Sequence, residues 1–245
     1  YGVNLCNCAN FLETPEDARR LAARLSRCGY NSVRFHHYDW PMVSKSIDGL
    51  TVNREMQRRF DSLVAACVEY GLYMTTDLYV SRWITLPSVG RNKSALMPNG
   101  DFKALVYVDE AVFANYLSFA RELLTHVNPY TKRRLCDEPA LAAICLINEG
   151  NHGNDMGRYG RLPEWRTAWQ DWIAREKSGH PEWAEVSTNV PSSCVDGSVA
   201  AHAFSSFLAE REKAFVARMR KFELVDDFGT AARLPPKPYV REGLR

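Results

Sequence analysis

Four apolar runs of strand length, separated by helix-forming stretches, predict an α/β chain built on a parallel sheet covered by helices. Two further observations choose among parallel architectures. The turn after the first run, "NCANFLETPED", contains no glycine, which argues against the phosphate-cradling turn of a doubly wound nucleotide-binding sheet. The other three runs end in polar, chemically capable residues: Arg34 and His36 on the second, Asp77 and Tyr79 on the third, Asn148 and Glu149 on the fourth. A (β/α)8 barrel of the TIM type places its active residues at the C-terminal ends of several strands. The expected fold is therefore a barrel of that type, with only about its first four βα units present. Residues 1–245 read as a single, incomplete domain with a loop insertion at about 152–200.

Each element has its own justification. "GVNLCNCAN" is a short apolar strand. "TPEDARRLAARLSRCG" is a helix with Thr14 as N-cap, Pro15 in the first turn, Asp17 completing a capping box and Gly29 closing it. Its apolar positions Ala18, Leu21, Ala22 and Leu25 recur at helical spacing. The strand "NSVRF" follows, then the helix "NREMQRRFDSLVAACVEYG" with Phe60, Leu63, Val64 and Cys67 on one face, then the strand "LYMTTDLYV". A long loop leads to the helix "DEAVFANYLSFARELLTHVNP", stopped by Asn128-Pro129. The fourth strand, "ALAAICLINEG", reads as fully buried until it turns polar at Asn148. A polar insertion carrying tryptophans comes next, and a long helix from Ala201 to Gly229 ends the pattern. After Gly229, "TAARLPPKPYVREGLR" has three prolines within four positions, which a central strand does not accommodate. Strands five to eight are not visible in the sequence.

Composition sets outer limits. The chain has 245 residues, 46% hydrophobic and 24% charged, which suits a globular domain with a substantial core. A formal net charge of +2 gives no electrostatic reason to expect a nucleic acid or a membrane surface as partner. No apolar run approaches the roughly 20 residues that span a bilayer. The first residues, "YGVNLCNC", read as strand rather than as a leader. The seven cysteines form no CxxC pairs and read as small buried hydrophobes, with a disulfide through Cys136 or Cys194 left open.

Alternation along the strands points the polar groups inward. Val33 and Phe35 share the helix-facing side of their strand, so Arg34 and His36 face the barrel interior. By the same rule Met74 and Leu78 face the helices, and Thr75, Asp77 and Tyr79 face inward. Trp40 and Trp83 follow strands two and three, at the same end as these polar groups. Trp165, Trp169 and Trp172 form one stripe of a helix and read as core.

Together "GYNSVRFHHYDW", "EYGLYMTTDLYVSR" and "DEPALAAICLINEGN" resemble the first half of a retaining glycoside hydrolase, of the (β/α)8 clan that includes cellulase-like family 5 enzymes. The resemblance covers about residues 1–151, and more loosely the helix from Ala201. It implies that Glu149 is the general acid/base, that Asn148 holds a sugar hydroxyl, and that Arg34 lies beside the nucleophile. His36, Tyr79, Trp40 and Trp83 would contact substrate, with Tyr79 standing where the clan often has histidine. The clan's nucleophile closes strand seven, so it is expected outside this chain. No organic cofactor is implied, a β-linked carbohydrate is the expected partner, and a secreted or periplasmic location follows from the resemblance alone.

The chemistry explains these residue types. Glycosidic cleavage needs one carboxyl that keeps its proton for the leaving oxygen. Retention also needs an ionised carboxylate about 5–5.5 Å away. An apolar strand end suits a raised pKa at Glu149. Asp39 or Asp77 could stand in for the missing nucleophile. Two other readings stand beside this one: a carbohydrate-binding relative without turnover, and a metal-dependent hydrolase using His37 and Asp39. Adjacent His36 and His37 on a straight strand face opposite ways, so both reach one ion only across a bend. Acyl transfer lacks a GxSxG elbow, and no base for Ser81 is identifiable.

Overall fold

The computed structural model describes residues 1–43, 46 and 48–220. Within them, four strands form one parallel sheet in the order β1 (Gly2–Cys6), β2 (Ser32–His36), β3 (Tyr73–Asp77), β4 (Leu141–Cys145). Every neighbouring pair is parallel and joined through a helix: α1 (Pro15–Arg27), α3 (Arg54–Glu69) and α5 (Glu110–Thr125). This is the α/β, helix-covered sheet that the sequence predicts. The last part of the fourth predicted helix and the proline-bearing stretch after Gly229 lie outside the described residues.

Local chemistry sets the helix ends. Thr14 accepts the Asp17 amide and Asp17 accepts the Thr14 amide, closing the capping box of α1. Asn53 caps α3 through the amides of Glu55 and Met56, and Asp109 caps α5 through Val112. Gly29 and Gly71 take positive φ just past α1 and α3, where a side chain would strain the turn.

The loops are more structured than the sequence suggests. Short helices α2 (Asp39–Val43) and α4 (Asn99–Leu105) follow β2 and β3. The insertion holds α6 (His152–Tyr159) and α7 (Pro163–Glu176), and α8 (Val199–Arg220) packs beside them. Trp165, Trp169 and Trp172 are buried against Phe204 and Phe207, so the tryptophan stripe is core. Cys136 and Cys194 are both free thiols.

The core lies between the sheet and its helices. Val33, Phe35 and Met74 are buried on that side against Phe60, Leu63 and Val64 of α3. The other face carries a different set. Asn4 pairs with Arg34, Arg34 with Thr75, and Thr75 with Ala143; nearer the strand ends, Cys6 pairs with His36 and Asp77 with Cys145.

The fourth strand departs from expectation. All five residues of β4 are half-buried or exposed, although the run is apolar. The reason is topological: among the described residues β4 pairs only with β3, so one edge is open. β1 has the same open edge on the other side.

Candidate active site

The polar groups cluster at the C-terminal ends of β2, β3 and β4. Asp77, fully buried at the end of β3, is the centre. Arg34 donates to both its oxygens, from Nη2 to Oδ1 at 2.6 Å and from Nε to Oδ2 at 3.3 Å. His36 Nδ1 lies 2.9 Å from Asp77 Oδ2. The same Arg34 Nη2 reaches Asn148 Oδ1 at 2.8 Å. One guanidinium therefore ties three strand ends together, and Asp77 beside it raises the Arg34 pKa above its ordinary value. Arg34, His36 and Asn148 are brought together as a group. With two donors on its carboxylate and no exposure, Asp77 is a structural anion and not a stand-in nucleophile.

The ends of two quoted stretches, "GYNSVRFHHYDW" and "EYGLYMTTDLYVSR", prove to be partners. Asp39 is fully buried, and its Oδ2 accepts the amides of Val80, Ser81 and Arg82 at 2.8, 2.9 and 2.9 Å. Its Oδ1 accepts the Trp40 amide at 3.1 Å and the Ser81 hydroxyl at 3.2 Å. A single carboxylate thus shapes the loop after β3. Arg82 fixes the far end of that loop: buried beside Phe119, it donates to the Gly49 carbonyl and to Asn115 Oδ1. Burial draws the Arg82 guanidinium down to about 10. Gly49 runs so close to Trp83 that any Cβ there would collide with the Trp83 carbonyl.

These contacts correct the metal reading. His37 takes a left-handed φ of 55°, so the chain does bend between the two histidines, and their rings meet edge to face at 4.3 Å. Asp39, however, is saturated with donors and has no lone pair to spare for an ion. Among the described residues no group of three or more His, Cys, Asp or Glu is arranged to hold a metal. His37 Nδ1 does lie 2.9 Å from the Ser81 Oγ. The serine's proton is committed to Asp39, so this is not an activated nucleophile.

Tyr79 is also corrected. β3 ends at Asp77, and beyond it the two-residue alternation no longer governs direction. Tyr79 is buried in a stack on Phe102 of α4, 4.4 Å between centroids, and its hydroxyl donates to the Arg82 carbonyl at 3.3 Å. Burial raises its pKa. In that position it supports the loop and cannot touch a ligand.

Glu149 sits on a strained turn. Its φ is 53°, a left-handed conformation costly for a residue other than glycine. The turn is pinned by the Asn148 amide on the Tyr79 carbonyl, 2.9 Å, and by the Gly150 amide on Ile147, 3.2 Å. Gly150 is required there, because a Cβ would come within 2.8 Å of the Ile147 side chain. The Glu149 side chain is 73% exposed, so the burial expected at an apolar strand end is missing on this open edge. Its charged neighbour is Lys103, a buried lysine on α4 whose Nζ lies 3.8 Å from Oε2. Sequence reading missed Lys103, which falls in what looked like plain loop.

The two rim tryptophans do come together. Trp40 and Trp83 stack at 6.2 Å with 25° between planes, and Phe11 joins Trp40 at 6.3 Å. Trp40 Nε1 donates to Asn7 Oδ1 at 3.2 Å, and Trp83 and Phe11 are each 49% exposed. Phe11 follows β1 and was also missed.

No family model matches the sequence, and no curated protein matches it. Among solved structures, the endo-beta-1,4-mannanase from Thermotoga petrophila is similar to this chain with 17% identity and a TM-score of 0.43. The match covers 74% of this chain and 40% of that one, so the chain spans well under half the length of that protein.

Proposed function

We propose that this chain carries the acid/base side of a glycoside hydrolase site acting on β-linked oligo- or polysaccharide. The sheet is then the first four strands of a (β/α)8 barrel whose remaining strands would pair with the open edges of β1 and β4. The observation that carries the reading is the convergence at one end of the sheet: Arg34, His36 and Asn148 in one hydrogen-bonded group, with Glu149 next along the same turn.

In this reading Glu149 donates a proton to the leaving glycosidic oxygen and then deprotonates the incoming water. A carboxylate from outside the described residues attacks the anomeric carbon, giving retention. Arg34 would lie beside that carboxylate, held by Asp77. Asn148, its oxygen occupied by Arg34, presents its amide N–H to a sugar hydroxyl. The Trp40–Trp83 pair supplies an apolar surface for pyranose rings.

The test is turnover of soluble β-linked polysaccharides by the protein that carries this chain, with Glu149→Gln beside it. The expected result is hydrolysis that falls about 10²–10⁴-fold in the variant. Unchanged hydrolysis in Glu149→Gln would remove Glu149 from the reaction. A second reading, sugar binding without turnover, draws on the exposed aromatic rim and on the solvent-facing Glu149 carboxylate. It expects binding by parent and variant alike, and hydrolysis by neither.

A further inference from the structure

We propose that Ser81 and Asp39 lock His37 in its Nδ1–H tautomer, so that His37 Nε2 is a fixed hydrogen-bond acceptor for a hydroxyl of the bound carbohydrate. The inference rests on the carbohydrate reading and adds to it a binding residue with its positioning pair.

Proton counting around Ser81 makes the case. The Ser81 hydroxyl has one proton and two oxygens or nitrogens to satisfy: Asp39 Oδ1 at 3.2 Å and His37 Nδ1 at 2.9 Å. If the proton pointed at His37, the Ser81 oxygen would face a carboxylate oxygen at 3.2 Å with nothing between them, a repulsive contact beside a buried anion. A proton shared with the carboxylate makes a charge-assisted bond instead. Ser81 then has only lone pairs to offer His37, so Nδ1 must carry hydrogen, and a neutral ring leaves Nε2 bare. Burial, and next the adjacent His36, draw the His37 pKa below its ordinary value, which keeps the ring neutral.

The lock is rigid at both ends. Asp39 cannot turn, because three consecutive amides and the Trp40 amide hold it. The His37 backbone is held at φ 55°, where a non-glycine residue persists only if its surroundings insist. No described residue accounts for Nε2, although the ring touches His36, whose own Nδ1 is fixed on Asp77. A neutral acceptor next to the His36 ring suits a polyhydroxylated ligand, whose hydroxyls both donate and accept.

The experiment is long-range ¹H–¹⁵N NMR of the histidine side chains in the protein that carries this chain, with and without cellotetraose and mannotetraose, alongside tryptophan fluorescence. The expected spectrum shows His37 as Nδ1–H, with its Nε2 resonance moving when sugar quenches the tryptophans. His37→Asn is the matched variant. Asparagine tolerates the left-handed backbone and can still donate to Ser81 from its amide, but it has nothing at Nε2. It should bind sugar roughly 3- to 10-fold more weakly with an unchanged melting temperature, the loss of one neutral hydrogen bond. Ser81→Ala should leave His37 in a tautomer mixture. An Nε2–H tautomer in the parent overturns the inference outright. Sugar binding seen at the tryptophans without movement at His37 Nε2 overturns it while leaving the carbohydrate reading intact. No response to either sugar at the tryptophans or at His37 overturns both.

Discussion

The ends of β2 and β3 and the end of β4 are neighbours in one sheet, yet they are built on opposite terms. Between β2 and β3 each carboxylate is buried and surrounded by donors: Asp77 by Arg34 and His36, Asp39 by four amides and a hydroxyl. At β4 the carboxylate of Glu149 projects into solvent from a left-handed turn, with one ammonium 3.8 Å away. The first region has a strand on each side, and both of its carboxylates are committed to structure. The second lies at an open edge, where its carboxylate faces solvent beside Lys103. Chemistry that needs an uncommitted carboxyl is therefore expected at the edge and not at the better-ordered centre.

Substitutions can break this contrast. Asp39→Ala should have the largest effect, since it strands the four amides that bond to it and unseats the loop that carries Trp83. A cost of about 3 kcal/mol or more is expected, which at this size is a fall of roughly 6–12 °C in melting temperature. Asp77→Asn should cost somewhat less, about 2–3 kcal/mol, because the shape is kept while Arg34 and His36 lose an anion. Both are read by thermal or urea denaturation.

A third prediction concerns pH. His37 and His152 lie one in each region, and desolvation lowers the pKa of both from an ordinary 6.5. In each case the unfolded chain binds the proton more readily than the fold. The stability they contribute is thus present above about pH 6.5 and is lost as pH falls toward the depressed folded value. His152 makes the sharper probe: Nδ1 lies 2.6 Å from the Tyr159 hydroxyl, and Nε2 is buried without a hydrogen-bond partner among the described residues. Melts from pH 7.5 to 5 should show a smaller acid-side loss in His152→Gln than in the parent.

The smallest effect should carry the opposite sign. Glu149→Gly relieves the left-handed turn and is expected to stabilise the fold by up to about 1 kcal/mol, seen as a slight rise in melting temperature. A gain from removing the candidate acid would mark it as kept for function. A loss would mean that Glu149 holds the turn together.

Much of this fold was legible because it is local. The capping box of Thr14 and Asp17 and the glycines that end α1 and α3 are decided within a few residues. The gathering of Arg34, His36 and Asn148 was legible because period-two alternation holds while a strand lasts. Tyr79 went astray because β3 stops two residues before it. The bond between Asp39 and the amides of residues 80–82 joins positions some forty apart, and no propensity announces such a pair. Lys103 and Phe11 were hidden for the same reason. The exposure of β4 was out of reach too, since an apolar run reveals its own preference and not its neighbours.

The most direct test of Glu149 as general acid/base is azide rescue of Glu149→Ala in the protein that carries this chain, using an aryl β-glycoside with a good leaving group. The leaving group needs no proton, so a glycosyl-enzyme should still form and then stall. Added azide should restore turnover and yield the β-glycosyl azide, the product of two inversions. Full turnover without azide, or no rescue in a variant that still binds the glycoside, would contradict the assignment.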